Sequence, residues 1–294
     1  MSPEVVCIGV VTVDTVALVE RYPSEDERVR AQEIVRGGGG PAAVAAVALA
    51  RLGISTAIVG TIGDDEDGAF VRSIFQREGI NHEGLSLSSS PTSGSVIVAS
   101  REHSARAIST RQPVQQAPLN SAAQRLIKGA TWVHVDHVGI HRLVEAGIHR
   151  GVGAKISFDA GYEVEKFDSS GVDLFAPTDR MMQSRHPGIG LEAALQADCH
   201  DNIVVATQGS RGSAGFSQHD GYVQADGFAI DVVSTLGAGD VFHGALLAQI
   251  IQGRSLAQSL SRANAVAALS CRGLDGQSAI PTSEELEIFL KEQR

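Results

Sequence analysis

The chain has 294 residues, 43% of them hydrophobic, and a formal net charge of −10. That hydrophobic content is ample for a core and excludes a disordered chain, while the acidic balance argues against a nucleic-acid or anionic-membrane surface, where a basic face is expected. Cys7, Cys199 and Cys271 are odd in number and far apart, so reduced, buried thiols are expected rather than disulfides or a metal knuckle.

In chain order, short apolar runs alternate with helical patterns, the rhythm of an α/β fold with a mostly parallel sheet. Buried strands are expected at Val5–Val11, Thr56–Gly60, Thr131–Val135, Lys155–Asp159 and Asn202–Thr207. The first is too short to span a membrane and has no basic leader before it, which points to a cytoplasmic protein. Helices are expected at Pro41–Leu52, Asp67–Glu78, Asn120–Lys128, His141–Arg150, Leu191–Ala197, Ala238–Gln252 and Leu256–Ser270. Pro41 falls at a first helical turn, and Gly53 and Gly79 fall just past helix ends. Two segments, Asp14–Val35 and Ser93–Thr110, break the rhythm, and residues such as Val96, Ile97, Val98 and Ile108 predict antiparallel strands outside the main sheet. No repeat, linker or domain boundary is visible. Residues 1–294 are therefore expected as one domain, with segments of about 14–35 and 93–110 inserted in it.

The most informative stretch is Asp231-Val-Val-Ser-Thr-Leu-Gly-Ala-Gly-Asp240, running on into Val241-Phe-His-Gly-Ala. Gly237, Ala238 and Gly239 present backbone N–H groups with little obstruction, and the helix starting there turns its positive end to an anion. A carboxylate beside such an anion hole would repel phosphate if merely decorative. Asp240 makes sense as the base that takes a proton from an attacking hydroxyl, although a glycine turn with an Asp cap gives the same wording. Asp14 follows the first strand, on the edge where open parallel sheets bind ligands; it either accepts hydroxyl hydrogen bonds or closes a turn. Gly37 to Gly40 either admit a ligand close to the backbone or turn the chain sharply into the Pro41 helix. His134-Val-Asp-His-Val-Gly-Ile-His141 has spacings that suit zinc, but no second cluster completes the sphere, so a structural or substrate-contacting role is the better reading.

Thr-Leu-Gly-Ala-Gly-Asp-Val-Phe-His-Gly-Ala resembles the C-terminal signature of the ribokinase (PfkB) family of sugar kinases. Cys7-Ile-Gly-Val-Val-Thr-Val-Asp14 looks like that family's opening strand with its substrate-binding Asp. Arg36-Gly-Gly-Gly-Gly-Pro to Gly53 looks like its di-glycine turn and helix, and Val59-Gly-Thr-Ile-Gly-Asp-Asp-Glu-Asp-Gly68 like its next strand and acidic loop. The resemblance covers nearly the whole chain. It implies a three-layer α/β/α kinase with a small β lid over the sugar, ATP and Mg²⁺ as cofactors, a small-molecule sugar as partner and a homodimer through the lid. It makes Asp240 the base, the Gly237, Ala238 and Gly239 backbone the anion hole, and Asp14, Gly38, Gly39 and Gly40 sugar-binding. Val204-Val-Ala-Thr-Gln-Gly-Ser-Arg-Gly-Ser-Ala-Gly215 resembles the family's ATP-facing strand–turn–strand. Thr207, Gly209 and Gly212 thereby join Gly237 and Gly239 as nucleotide-binding candidates, and Asn264 matches a position bordering adenine, though it also reads as a core hydrogen bond.

Departures from the pattern shape the substrate reading. Pro41, Ala42, Ala43 and Val44 stand where the family usually has a hydroxyl-reading Asn. The Gly-Gly-Gly-Pro-Ala-Ala wording looks like the sulfofructose kinase branch, whereas Tyr22-Pro-Ser-Glu-Asp-Glu-Arg-Val-Arg30 resembles ketohexokinase. Both branches act on ketohexoses. Arg28, Arg30 and Arg106 fall on the lid segments, and Arg forks match phosphate or sulfonate oxygens; the branch's other sulfonate-binding positions appear here as Thr110 and Val138. The expected function is therefore transfer of the γ-phosphoryl of ATP to a hydroxyl, of the primary kind, on a ketohexose or a derivative such as sulfofructose. The alternatives are a ketohexokinase-like or fructokinase-like kinase of a neutral sugar, a nucleoside kinase, and a non-catalytic sugar or nucleotide sensor. Ala176-Pro-Thr-Asp-Arg180 keeps only Asp179 of the family's Mg²⁺-organising Asn-x-x-Glu element, so no metal ligand is assigned. Ser234 replaces an Asp that supports potassium in potassium-dependent members, so activity without potassium is expected.

Overall fold

The computed structural model describes residues 2–102, 105–145, 147–161 and 167–293. The chain opens with β1 (Val5–Ile8), β2 (Thr12–Val19) and β3 (Glu33–Gly39), then α1 (Pro41–Arg51), β4 (Thr56–Gly63), α2 (Glu66–Arg77), β5 (Asn81–Ser88), β6 (Gly94–Ser100) and β7 (Ala105–Thr110). It continues through α3 (Ser121–Gly129), β8 (Trp132–Val135), α4 (Gly139–Glu145), β9 (Lys155–Ala160), β10 (Leu174–Pro177), α5 (Asp179–Arg185), α6 (Leu191–Ala197) and β11 (Ile203–Thr207). The last elements are β12 (Ser213–Ser217), β13 (Gly221–Ala225), α7 (Ala238–Ile251), α8 (Leu256–Ser270) and α9 (Ser283–Glu292).

Nine strands form the main sheet in the order β13-β12-β11-β10-β9-β8-β1-β4-β5, parallel from β5 to β11 and antiparallel beyond it. Alternation along β1 shows why the sheet is covered on both faces. Val5 and Cys7 enter the core shared with α1, α7 and α8, while Val6 and Ile8 enter the core shared with α3, α4 and α6. This is the three-layer α/β/α architecture, and its parallel strands require helical crossovers. The switch point lies at β1, which pairs with β4 on one side and β8 on the other, so the crevice opens above its carboxyl end.

A second, four-stranded sheet, β3-β2-β6-β7, overhangs that crevice. Its β2–β3 and β6–β7 pairs are antiparallel, but β2 and β6 run parallel, which the alternation pattern could not show. Val16, Leu18, Ile97 and Ala99 pack beneath it with Leu274.

Three expectations need correction. The first strand stops at Ile8 instead of Val11, because Val10 N–H donates to Asp136 (2.7 Å); Asp14 therefore stands on the lid strand β2 and not at the end of a sheet strand. The helix expected over His141–Arg150 starts earlier, at Gly139, and is described only to Glu145; residue 146 lies outside the described residues, as do 103 and 104 of the second lid segment. Finally, β5, β10, α5 and α9 form where no element was expected.

Candidate active site

Gly237 sits before the first turn of α7 in the left-handed region, φ 73°, and an added Cβ would lie 3.0 Å from Gly276 Cα. Glycine is therefore required both for the turn and for the packing of the 273–278 loop behind it. The first N–H groups of a helix have no acceptor within it, so the start of this 14-residue helix presents donors and a positive dipole end to the cleft. Ala238 and Gly239 line a cavity of about 320 Å³ together with Thr207, Gly209, Gly212 and Asn264. Of the six residues expected on the nucleotide side, Gly237 is the one that does not line this cavity. Asn264 lines it while donating to the carbonyls of Ala225 and Asp226 and accepting from Ser213 Oγ (3.0 Å), so it also holds β12 and the chain after β13 against α8.

Asp240, in the first turn of α7, is half-buried. Desolvation pushes its carboxyl well above the usual range, and the charges of Asp159 and Asp136 push the same way, against the cation of Arg106. A carboxyl so raised is a stronger base than a free aspartate.

The lid side of the crevice is a cross-strand row. Gly37, Asp14, Ser95 and Thr110 are register partners across β3, β2, β6 and β7, so Asp14, Ser95 and Thr110 share the face of the lid sheet that looks into the crevice. Two residues along, Val16, Val35, Ile97 and Ile108 form the next row, and Leu18, Glu33, Ala99 and Arg106 the one after. Burial pushes the Asp14 carboxyl up, with the Asp275 charge adding to it, while hydrogen bonds from Ser95 and Thr12 act the other way. A Cβ on Gly39 would overlap the Asp14 carboxylate. That contact, more than any turn, explains a glycine there. Gly38 faces the Gln277 side chain and Gly40 the Val10 carbonyl.

Arg106 crosses the crevice from the lid edge and donates to Thr235 Oγ1 (2.8 Å) in the loop before the anion hole. Arg28, by contrast, stands exposed on the loop between β2 and β3, away from this row. Val138 is half-buried and lends its N–H to Asp136 (2.9 Å). Asp136 also accepts from Val10, Ala42 and Gly139, so it ties together β1, α1 and the turn after β8. His134 is fully enclosed, with Nδ1 3.0 Å from Ser157 Oγ, and burial lowers it to about 4, which keeps it neutral at physiological pH. His141 points to solvent. Among the described residues no group of three or more His, Cys, Asp and Glu is placed to hold a metal ion.

Sequence reasoning missed Ser95, Asp159 and Asp275. Asp159 had a visible signal, a carboxylate at the carboxyl end of a predicted strand; Ser95 and Asp275 had none, since each matters only through a contact made in the folded chain.

A glycine turn into a helix start, an adjacent carboxylate and a covering sheet suit a phosphotransferase of the α/β class. The chain belongs to the pfkB family of carbohydrate kinases, whose model matches residues 2–145 and 183–283, and it is thus a phosphotransferase with an alcohol group as acceptor. Among its relatives are the ATP-dependent ribose-1-phosphate kinase of Halopiger xanaduensis, 27% identical over 98% of both chains, and a protein of Arabidopsis thaliana named probable fructokinase-4, 26% identical over 98% of this chain and 96% of that one. In fold the chain is similar to the ribokinase of Thermotoga maritima (TM-score 0.80, 21% identity, 98% and 99% covered). It is likewise similar to that of Arabidopsis thaliana solved with ribose and ATP (TM-score 0.77, 22% identity, 99% of both chains covered).

Proposed function

We propose that the protein moves the γ-phosphoryl group of ATP to a hydroxyl of a ketohexose, or of a ketohexose derivative with an anionic end such as sulfofructose. One observation carries this reading: Asp240 follows directly on the Ala238 and Gly239 that line the cavity, and its carboxyl feels the cation of Arg106 from the lid strand β7. The acceptor hydroxyl gives its proton to Asp240 as its oxygen attacks the γ-phosphorus. The bond to the departing ADP oxygen breaks while the Gly237 to Gly239 backbone donors hold the developing charge. Asp14 accepts sugar hydroxyls, with Ser95 and Thr12 fixing its orientation.

Thr207, Gly209, Gly212 and Asn264 hold the nucleotide. Asp179, at the first turn of α5 and 2.5 Å from the Arg211 guanidinium, is the protein carboxylate suited to a magnesium ion that is otherwise held by phosphates and water, the usual preference of that ion. Magnesium there would neutralise charge on the phosphates.

The anionic end rests on Arg106, which reaches across the crevice to Thr235 Oγ1 and whose cation already acts on Asp240, and the ribose-1-phosphate kinase among the relatives supports an anionic sugar. The outward face of the lid exposes Ile34 (66%) and Val96 (59%), which supports a homodimer through the lid, measurable by light scattering. Three buried free thiols suit a reducing cytoplasm, and among the described residues no helix is long and apolar enough to cross a membrane.

The test is ADP release with a panel of free, phosphorylated and sulfonated ketoses, ribose 1-phosphate and nucleosides, run on the parent and on Arg106→Ala. An anionic ketohexose should be preferred, and its KM should rise about tenfold or more in the variant, the worth of a charge-assisted hydrogen bond, with little change for fructose. Preference for neutral fructose moves the assignment to a fructokinase-like enzyme. Preference for nucleosides moves it to a nucleoside kinase.

A further inference from the structure

Behind Asp240 lies a buried polar cluster that the phosphoryl-transfer chemistry above does not use. Asp159, in β9, lies close enough to Asp240 for its charge to act on that carboxyl. Its Oδ1 accepts the Gly161 N–H at 2.9 Å, and its Oδ2 stands 2.7 Å from His243 Nδ1, with both side chains almost wholly enclosed, 3% and 4% exposed. Asp240 and His243 are three residues apart on α7, hence neighbours on one face of the helix, and a single carboxylate of β9 meets both. An imidazole and a carboxylate are costly to bury in a helix–sheet interface otherwise made of Ala, Val, Leu and Phe, unless each is compensated by the other.

We propose that Asp159 and His243 are positioning residues for the reaction: Asp159 receives the hydrogen bond of Asp240 once that residue has taken the sugar's proton, and His243 keeps Asp159 the ionised member of the carboxylate pair. This rests on Asp240 being the base. Two carboxylates in contact do not both ionise readily, and the environment of each decides which one holds the shared proton. Burial opposes ionisation of Asp159, but the close pairing with His243 and the Gly161 N–H hold its carboxyl below the usual range. Asp240 lies on the opposite side of the usual range. The remaining charged groups facing Asp240 are Asp136 beyond the end of β8, which adds to the repulsion, and Arg106 from β7, which relieves it. The proton bookkeeping closes within the site: the acceptor O–H breaks, an O–H forms on Asp240, that O–H donates to Asp159, and the proton leaves to water after product release.

Both partners keep the shared proton on Asp240, one by its charge and the other by holding that charge in place, so the pH profile of kcat/KM reads the pair. Activity needs ionised Asp240, so it falls as pH drops through the pKa of that carboxyl. Asp159→Asn keeps the shape and the Gly161 contact but removes the negative charge, and should move the acid limb down by about one pH unit or more, the usual size of a close-charge effect. His243→Leu removes the group that favours ionised Asp159, so the shared proton passes to Asp159 and the limb should move down as well; His243→Asn, which restores an N–H donor, should bring it part of the way back. Thermal unfolding of each variant shows whether it is folded, and if one is not, the other two still read the sign. Limbs that stay in place, or that move up in either Asp159→Asn or His243→Leu, overturn the inference. Asp240→Asn measured alongside separates the failures: near-parental turnover there removes the base itself, whereas lost turnover with unmoved limbs in the other variants removes only the role of the pair.

Discussion

The wall at the start of α7, proposed for the nucleotide, sets glycine main chain beside apolar side chains such as Phe228, Ile230 and Phe242, whereas the wall proposed for the sugar is made of side chains standing on a four-stranded sheet. Around the cavity of α7 and β11–β13, Gly209, Gly212, Gly237 and Gly239 offer main-chain groups whose placement depends on turns and a helix start. Across the crevice, Asp14, Ser95, Thr110 and Arg106 are placed by strand register. Backbone recognition tolerates little change in sequence, and side-chain recognition can be rewritten one residue at a time. The difference explains why the class of reaction is written in glycine wording that many kinases share, while the acceptor is written in positions such as Pro41 to Val44 and Arg106 that depart from the common pattern.

The sharpest way to break the comparison is at the residue where the walls meet. Asp240→Asn should lower kcat by about 10²–10⁴-fold, the usual worth of general-base help, while ATP binding, held by the backbone wall, stays near parental in a calorimetric titration. The same substitution should stabilise the fold. A folded carboxyl raised above its unfolded value contributes stability below the unfolded pKa and loses it as pH rises through the folded one. The melting temperature of Asp240→Asn should therefore exceed that of the parent at pH 8 and approach it near pH 4, the trade of stability for activity common at active sites.

Next in size is the sugar wall alone. Asp14→Ala should raise the KM for the sugar about 10- to 100-fold, the loss of one or two hydrogen bonds to a charged group, without moving the KM for ATP. An equal effect on both substrates would show that the two walls are not independent. The smallest expected effect is a null one. Ser234 is buried, with Oγ accepting the Leu236 N–H at 3.2 Å, and brings no carboxylate to the loop before the anion hole. Rates in sodium and potassium buffers should agree within a factor of about two, the spread of weak surface-ion effects, and a large potassium-specific activation would show that other oxygens rebuild a cation site.

The two walls also differ in how far they were legible in the sequence. The grouping of Thr207, Gly209, Gly212 and Gly239 around one cavity was readable because the strand–turn–strand and the Gly237–Asp240 stretch are local patterns, each complete within a dozen residues. The sugar wall was half readable. Asp14 and Thr110 were singled out, but their alignment through Ser95 depends on a parallel pairing of β2 with β6 that no local pattern encodes. Strand β10 escaped because four residues ending in Pro177 carry too little period to separate strand from loop, and α5 is a seven-residue helix whose Thr178 cap sits directly after it. Asp159 and His243 were each in view, one in a strand and one in the signature, and only the packing of α7 on β9 makes them a pair.

The account turns on whether phosphate moves from ATP to a sugar. The direct measurement follows ATP labelled at the γ-phosphate, with and without the best acceptor of the panel, and with Asp240→Asn as the control. The label should appear in a sugar phosphoester, only when the acceptor is present and only at the parent's rate when Asp240 is intact. Label released as inorganic phosphate at a rate indifferent to sugar, or no consumption of ATP with any acceptor, would contradict the assignment and leave a nucleotide-binding protein that keeps the fold without the transfer.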